Sequence, residues 1–154
     1  NKAFSIADAK EKPVFLLLDL FGQDGIVDRN WYYFDFVTAQ GCLFERPRTT
    51  LAARLDEVNG HILAVVKNTG NAPAISVEVS LGEASNTYYA EDCGLWLEPG
   101  EERAVPIHRV DAMDGSNVNL DVILFSAWNA EPIVVHVSQT RTPIRVDYRN
   151  RERG

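Results

Sequence analysis

The sequence predicts an all-β fold, and three observations predict it. Apolar and aromatic runs of strand length recur along most of the chain, separated by turns rich in Gly, Pro and Asn. One run, residues 74–81, alternates strictly between apolar and polar side chains. No segment keeps a helical period; residues 2–11 are the sole candidate and are too short to form a stable helix alone. From residue 51 onward the strands come at the regular spacing of an immunoglobulin-like antiparallel β-sandwich.

The elements follow in order. Residues 13–22 (PVFLLLDLFG) form an apolar run, and residues 26–37 (IVDRNWYYFDFV) are dense in aromatic and β-branched types. The turn Gly22-Gln23-Asp24-Gly25 between them makes the pair a β-hairpin. Tyr32 and Tyr33 then point to opposite faces. Residues 40–50 mix charge with Gly41 and Pro47 and have no period, so they read as a connection between two sandwiches.

A strand over residues 51–58 leads to Asn59-Gly60, the strongest hairpin signal in the chain, because both positions tolerate a positive φ. Residues 62–67 return, and Asn68-Thr69-Gly70-Asn71 turns. In residues 74–81 (AISVEVSL), Ile75, Val77, Val79 and Leu81 share one face and Ser76, Glu78 and Ser80 the other, so the strand has one wet face. Short strands are expected at residues 87–92 and 95–97. Glu98-Pro99-Gly100-Glu101 is a turn, residues 103–108 a strand and residues 110–117 a polar loop. In residues 118–127, Val118, Leu120, Val122 and Leu124 share a face, which puts Leu124 in the core and Trp128 at the strand's end. Residues 133–137 close the sandwich. Residues 141–154 hold an edge strand around Ile144 and Val146 and end in an arginine-rich tail.

Composition narrows the function. The formal charge of −7 excludes nonspecific nucleic-acid binding, which needs excess Lys and Arg. No apolar run approaches the ~20 residues that cross a bilayer, and the first residues lack a signal-peptide core, so no membrane partner is expected. The compartment stays open. Cys42 and Cys93 fit no metal motif; they are two free thiols or one bridge.

The search for chemistry finds no G-x-S-x-G elbow and no paired carboxylates on a scaffold. His61, His108 and His136 lie apart, within or beside strands. Residues 111–117 (DAMDGSN) place oxygen donors around a glycine but lack the closing Glu of a calcium loop, so a polar turn is the plainer reading. No catalytic residue, cofactor site or metal site is assigned. Trp31, Tyr33, Tyr89, Trp96 and Trp128 are the candidate contact residues, for sugar stacking or for packing against a neighbouring domain. The five arginines from Arg141 to Arg153 form a solvated terminus or dock on an acidic surface.

Four segments together carry a family resemblance. Val27-Asp28-Arg29-Asn30-Trp31-Tyr32-Tyr33-Phe34 resembles an S-R-N-x-Y-W strand, with Asp28 in place of a small residue. Residues 66–74 (VKNTGNAPA) resemble an N-T-(G)-x-x-P-A turn. Residues 91–101 (EDCGLWLEPGE) resemble S-D-N-x-x-x-L-x-P-G-E, with Cys93 in place of Asn. Residues 124–129 (LFSAWN) resemble an I-S-G-W-N strand end. In this order they are similar to the C-terminal accessory domains of family 2 glycoside hydrolases, nearest to the β-mannosidase and exo-β-D-glucosaminidase branch and more distantly to β-galactosidases.

The resemblance implies a non-catalytic domain. The family's catalytic glutamates sit on a barrel of about 250 residues, too large for this chain. It implies that residues 1–46 are the last strands of a preceding sandwich plus a connection, residues 47–140 the immunoglobulin-like sandwich, and residues 141–154 a basic tail. The expected partner is the catalytic barrel of a parent chain. A homodimer through residues 13–37 and an oligosaccharide are further candidates. It also implies that Asp92 caps a turn and Pro99-Gly100 reverses the chain.

Overall fold

The computed structural model describes residues 14–23, 25–35, 46–110 and 119–139. The helical candidate at residues 2–11, Cys42, Val118, the polar loop at 111–117 and the tail with its edge strand lie outside the described residues. The chain divides into two compact units, residues 1–47 and 48–154.

In the first unit, β1 (Val14–Gly22) and β2 (Gly25–Phe34) form an antiparallel hairpin. Phe15 faces Tyr33, Leu17 faces Trp31 and Asp19 faces Arg29, so these six share one face. Leu16, Leu18 and Leu20 share the other with Tyr32, Asn30 and Asp28. The register shifts after Leu20, because Val27 is an extra residue opposite the Leu20–Phe21 step.

The second unit is a two-layer antiparallel β-sandwich. One sheet has the order β3-β4-β8-β6 and the other β10-β9-β5-β7. The strands are β3 (Leu51–Val58), β4 (His61–Asn68), β5 (Ala74–Ser80), β6 (Tyr88–Ala90), β7 (Leu95–Leu97), β8 (Glu102–Arg109), β9 (Val122–Ala127) and β10 (Ala130–His136). A 3-10 turn, Gly82–Asn86, which the strand pattern did not anticipate, connects β5 to β6. The β3–β4 turn is as expected: Asn59 and Gly60 have φ of 54° and 79°.

The core lies between the sheets. Leu55, Ala64, Val66, Val105 and Ile107 from one sheet meet Ala74, Val77, Val79, Leu97, Ile123 and Phe125 from the other. Fully burying side chains such as Phe125, Ile123 and Leu97 contributes about 1.5–3 kcal/mol each.

Two expected faces are corrected. In β5 the alternation holds from Val77 onward, but Ala74 takes the core position expected of Ile75. A register shift against β7 between Ala74 and Val77 adds a residue, and Ser76 adopts a positive φ of 53°. Ser76 and Ile75 are both buried, so the first half of this strand has no wet face. In β9 the faces are inverted: Ile123 and Phe125 are fully buried, whereas Val122 and Leu124 are exposed. The strand starts at Val122, so Leu120, buried beforehand, does not set its phase. Residues 122–125 read VILF, and a run apolar at every position cannot select a face by alternation.

The sheet edges are protected. β6 and β7 are three residues long. Pro132 lies within the register shift of the edge strand β10, where a missing N–H disturbs no ladder. Pro106 sits inside β8, yet its carbonyl accepts from Glu91 N at 2.9 Å just past the end of β6. Its nitrogen faces the same side, beyond the last paired residue, so the ladder loses nothing there.

Candidate functional site

Five residues are candidates for contact with sugar or with a neighbouring domain, and the two units are taken in turn. In the hairpin, Trp31 and Tyr33 are half-buried on one face with Phe15. The Phe15 ring lies 6.2 Å from Trp31 and 5.0 Å from Tyr33, both tilted, which is favourable aromatic geometry. The Arg46 guanidinium stands 5.0 Å from the Phe15 centroid, within cation–π range. Tyr33 donates its hydroxyl to Asp35 at 2.9 Å. On the same face Arg29 donates to both oxygens of Asp19, at 2.7 and 3.1 Å. Trp31 and Tyr33 are thus engaged within their own unit.

In the sandwich the three candidates are scattered. Tyr89 lies on the outer face of β6, about half exposed, and stacks on His108 of β8 at 5.0 Å. His108 Nε2 is 3.1 Å from a Glu91 carboxylate oxygen. Trp96 belongs to the other sheet's edge strand. It is buried, and its indole donates to Glu98 at 2.9 Å. Trp128 is 46% exposed in the turn between β9 and β10, directly after the last residue of β9, at the strand end where it was expected. Its backbone N–H donates to Ile75 O at 2.9 Å. The geometry brings no two of these rings together as an exposed platform. His61 and His136 are exposed at opposite strand ends, and Cys93 is an exposed free thiol. Asp92 accepts from the backbone N–H of Cys93 at 2.8 Å, a local turn contact as the resemblance implies.

The motif residues do structural chemistry that the sequence reading passed over. Asn68 is fully buried at the end of β4. Its Oδ1 accepts from the Thr49 hydroxyl at 2.7 Å and from Gly70 N at 3.1 Å, and its Nδ2 donates to Ala72 O at 2.8 Å and Leu97 O at 3.0 Å. One amide therefore ties the start of β3, the 69–73 turn and the end of β7. Gly70 follows from that closeness: a Cβ there would collide with the Thr49 hydroxyl and come within 2.8 Å of Thr50 N. Asn129, also buried, accepts from Ile75 N at 3.0 Å and donates to Pro73 O at 2.9 Å. Glu101 closes its own turn by accepting from Glu98 N at 2.9 Å and holds Arg103 at 3.2 Å. The signal for these roles was present, since buried Asn in a turn motif satisfies backbone groups that no strand partner reaches.

On the outer face of the β3-β4-β8-β6 sheet, Arg54 reaches from β3 across β4 to Glu102 of β8 through two bonds of 2.9 Å. It also holds Asp56 at 3.1 Å. The register puts Val65 beneath that span, which accounts for an outward valine that is 2% exposed. Hydrogen bonding from Arg54 lowers the Glu102 pKa below the ordinary glutamate range, and the same bond raises that of Arg54.

A cleft of about 310 Å3 opens at the end of the sandwich where β9 begins, lined by Leu81, Glu83, Ala84, Asn119, Asp121 and Val122. None of the five aromatic candidates lines it.

No family model matches the chain, and the search of curated proteins finds no match. Among solved structures, the exo-chitosanase CsxA of Amycolatopsis orientalis is similar at 19% identity and a TM-score of 0.53. A structure of the exo-β-D-glucosaminidase CsxA, inhibited by a glucosamine-configured castanospermine, is similar at 20% identity and a TM-score of 0.53. Each match covers 75% of this chain and 17% of the other. At such identity the likeness is one of fold: this chain is an all-β protein built like a small part of a much longer glycoside hydrolase.

Proposed function

We propose that this chain is the non-catalytic accessory part of a family 2 glycoside hydrolase related to exo-β-D-glucosaminidases, β-mannosidases and β-galactosidases. In that role the sandwich buttresses the catalytic barrel of the parent chain, and the hairpin supplies the last strands of the sandwich before it. The observation that carries the reading is the extent of the fold likeness. It spans 17% of the exo-chitosanase but 75% of this chain, more than residues 48–154 amount to, so it takes in part of the leading unit as well. The motif residues support it too, because Asn68, Gly70, Glu101 and Asn129 are spent on holding turns together. A sugar-binding module would need rings that share an exposed face. Here Tyr89 stacks on His108, Trp96 is buried and Trp128 stands in a turn.

The test is a pair of measurements on the purified chain. Aryl β-D-glucosaminide, β-mannoside and β-galactoside should be hydrolysed no faster than in buffer. Calorimetric titration with chito-, manno- and galacto-oligosaccharides should give no saturable heat. Turnover that scales with purified chain would overturn the reading, and saturable binding would favour the sugar-binding module.

A further inference from the structure

We propose that His61 and His108 form a binding site for a divalent transition-metal ion of the zinc, nickel or copper type on the outer face of the β3-β4-β8-β6 sheet, with Glu91 orienting His108.

The two histidines are far apart in sequence, and the sheet register brings them together. Ile62 of β4 pairs with Ile107 of β8, and both side chains pack at the core. His61 and His108 are the next residues along the two strands, so they lie opposite each other on the outer face. Pro106 settles how closely. It pairs with Leu63, has no N–H to give β4, and turns its carbonyl to Glu91 N instead. Leu63–Pro106 is therefore a pair without mutual hydrogen bonds. Such pairs recur at every second position of an antiparallel ladder, and His61–His108 is the next one. They are the close pairs, with Cβ atoms about 4.5–5.5 Å apart. From that separation two imidazoles reach one ion at the usual nitrogen–metal distance of about 2.0–2.1 Å.

The surroundings of His108 suit a ligand. Its Nε2 lies 3.1 Å from a Glu91 carboxylate oxygen. An ionised carboxylate only accepts, so the ring proton sits on Nε2 and the lone pair on Nδ1 is left for a metal. Tyr89 of β6 pairs with His108 and stacks on its ring at 5.0 Å and 26°, which fixes the ring plane. A carboxylate behind a ligating histidine is the usual outer support of such sites. His61 is exposed, and its partner on β3 is the uncharged Val58, so no cation opposes the ion from that strand. Among the described residues no three ligand-type side chains converge on one point. The protein thus supplies two ligands, and water completes an exchangeable coordination shell. Nitrogen donors select zinc, nickel or copper over magnesium and calcium.

The test is calorimetric titration of the full chain with Zn2+ and, separately, Mg2+ at neutral pH. Cys42 and Cys93 are first changed to Ser, because the exposed Cys93 thiol is itself a zinc ligand. We expect saturable binding of one Zn2+ per chain and no saturable heat from Mg2+. His61→Ala and His108→Ala should each abolish the zinc heat, and His136→Ala, on the other sheet, should leave it unchanged. Glu91→Ala should weaken zinc binding about 10–100-fold without abolishing it. The melting temperature without zinc shows that each variant is folded. The proposal is overturned by an absence of saturable zinc binding, by binding that survives either the His61 or the His108 variant, or by equal binding of Mg2+. Full zinc affinity in Glu91→Ala overturns the orienting role. None of these outcomes bears on hydrolysis or sugar titration, so this inference and the accessory role fail separately.

Discussion

Asn68 shows how a single buried amide can hold a sandwich end together. Its four side-chain hydrogen bonds join Thr49, just before β3, the 69–73 turn and the end of β7. Asn68→Ala leaves the Leu97 and Ala72 carbonyls without that donor, and should cost about 2–4 kcal/mol in chemical denaturation. The two neighbours on β9 separate just as clearly. Phe125→Ala should cost about 3–5 kcal/mol, and Leu124→Ala under about 1 kcal/mol, because only Phe125 is buried. Comparable losses for the two would mean that the strand's faces are misassigned. The sequence could not settle this, since VILF is apolar on both faces; the choice came from the register, which sets Phe125 opposite Val79 and Leu124 opposite Ser80. Glu102 makes a pH-dependent contribution. Its pKa is lowered in the fold, so the stabilisation is present above the ordinary glutamate range, about pH 4, and is lost as pH falls through the lowered value. Glu102→Gln should therefore lose less stability on acidification than the parent, read from urea midpoints against pH.

At the scale of elements, turn chemistry was the most legible feature. Asn59-Gly60 closes β3 onto β4 in the positive-φ conformation that this pair favours. Nothing lies within 4 Å of a Cβ added at Gly60, so Gly60→Ala isolates backbone strain and should cost about 1 kcal/mol. Gly70→Ala meets atoms instead and should cost more, since the Thr49 hydroxyl and the Thr50 backbone must both move. Equal melting temperatures for the two variants would contradict that distinction. Strand positions were legible for the same reason, because turns bound them. Face assignment failed where a local irregularity intervened. A single extra residue in β5 exchanged Ala74 for Ile75, and composition gives no sign of a bulge. Trp128 stands at the end of β9, as expected, and the adjacent Asn129 makes buried contacts.

At the scale of the molecule, the sandwich carries its own core. Every residue of the buried cluster and of the apolar shell around it lies between Leu51 and Val137. A chain beginning at Arg48 should therefore unfold in one cooperative transition, as single domains of this size do. The proposed accessory role rests on four short motifs in the sequence, and the structure gives most of them a mechanical meaning. The candidate contact residues were less legible, because Trp and Tyr serve cores, domain contacts and ligands alike, and burial alone separates those uses. The central claim is that this chain is a part of a larger glycoside hydrolase. The most direct measurement is the size of the native polypeptide that carries it, read by immunoblot of source cells with antibody raised against the sandwich. The account predicts a band several times heavier than 17.2 kDa, in a fraction that hydrolyses aryl β-glycosides. A native polypeptide of 17.2 kDa, with no such activity co-purifying, would contradict it.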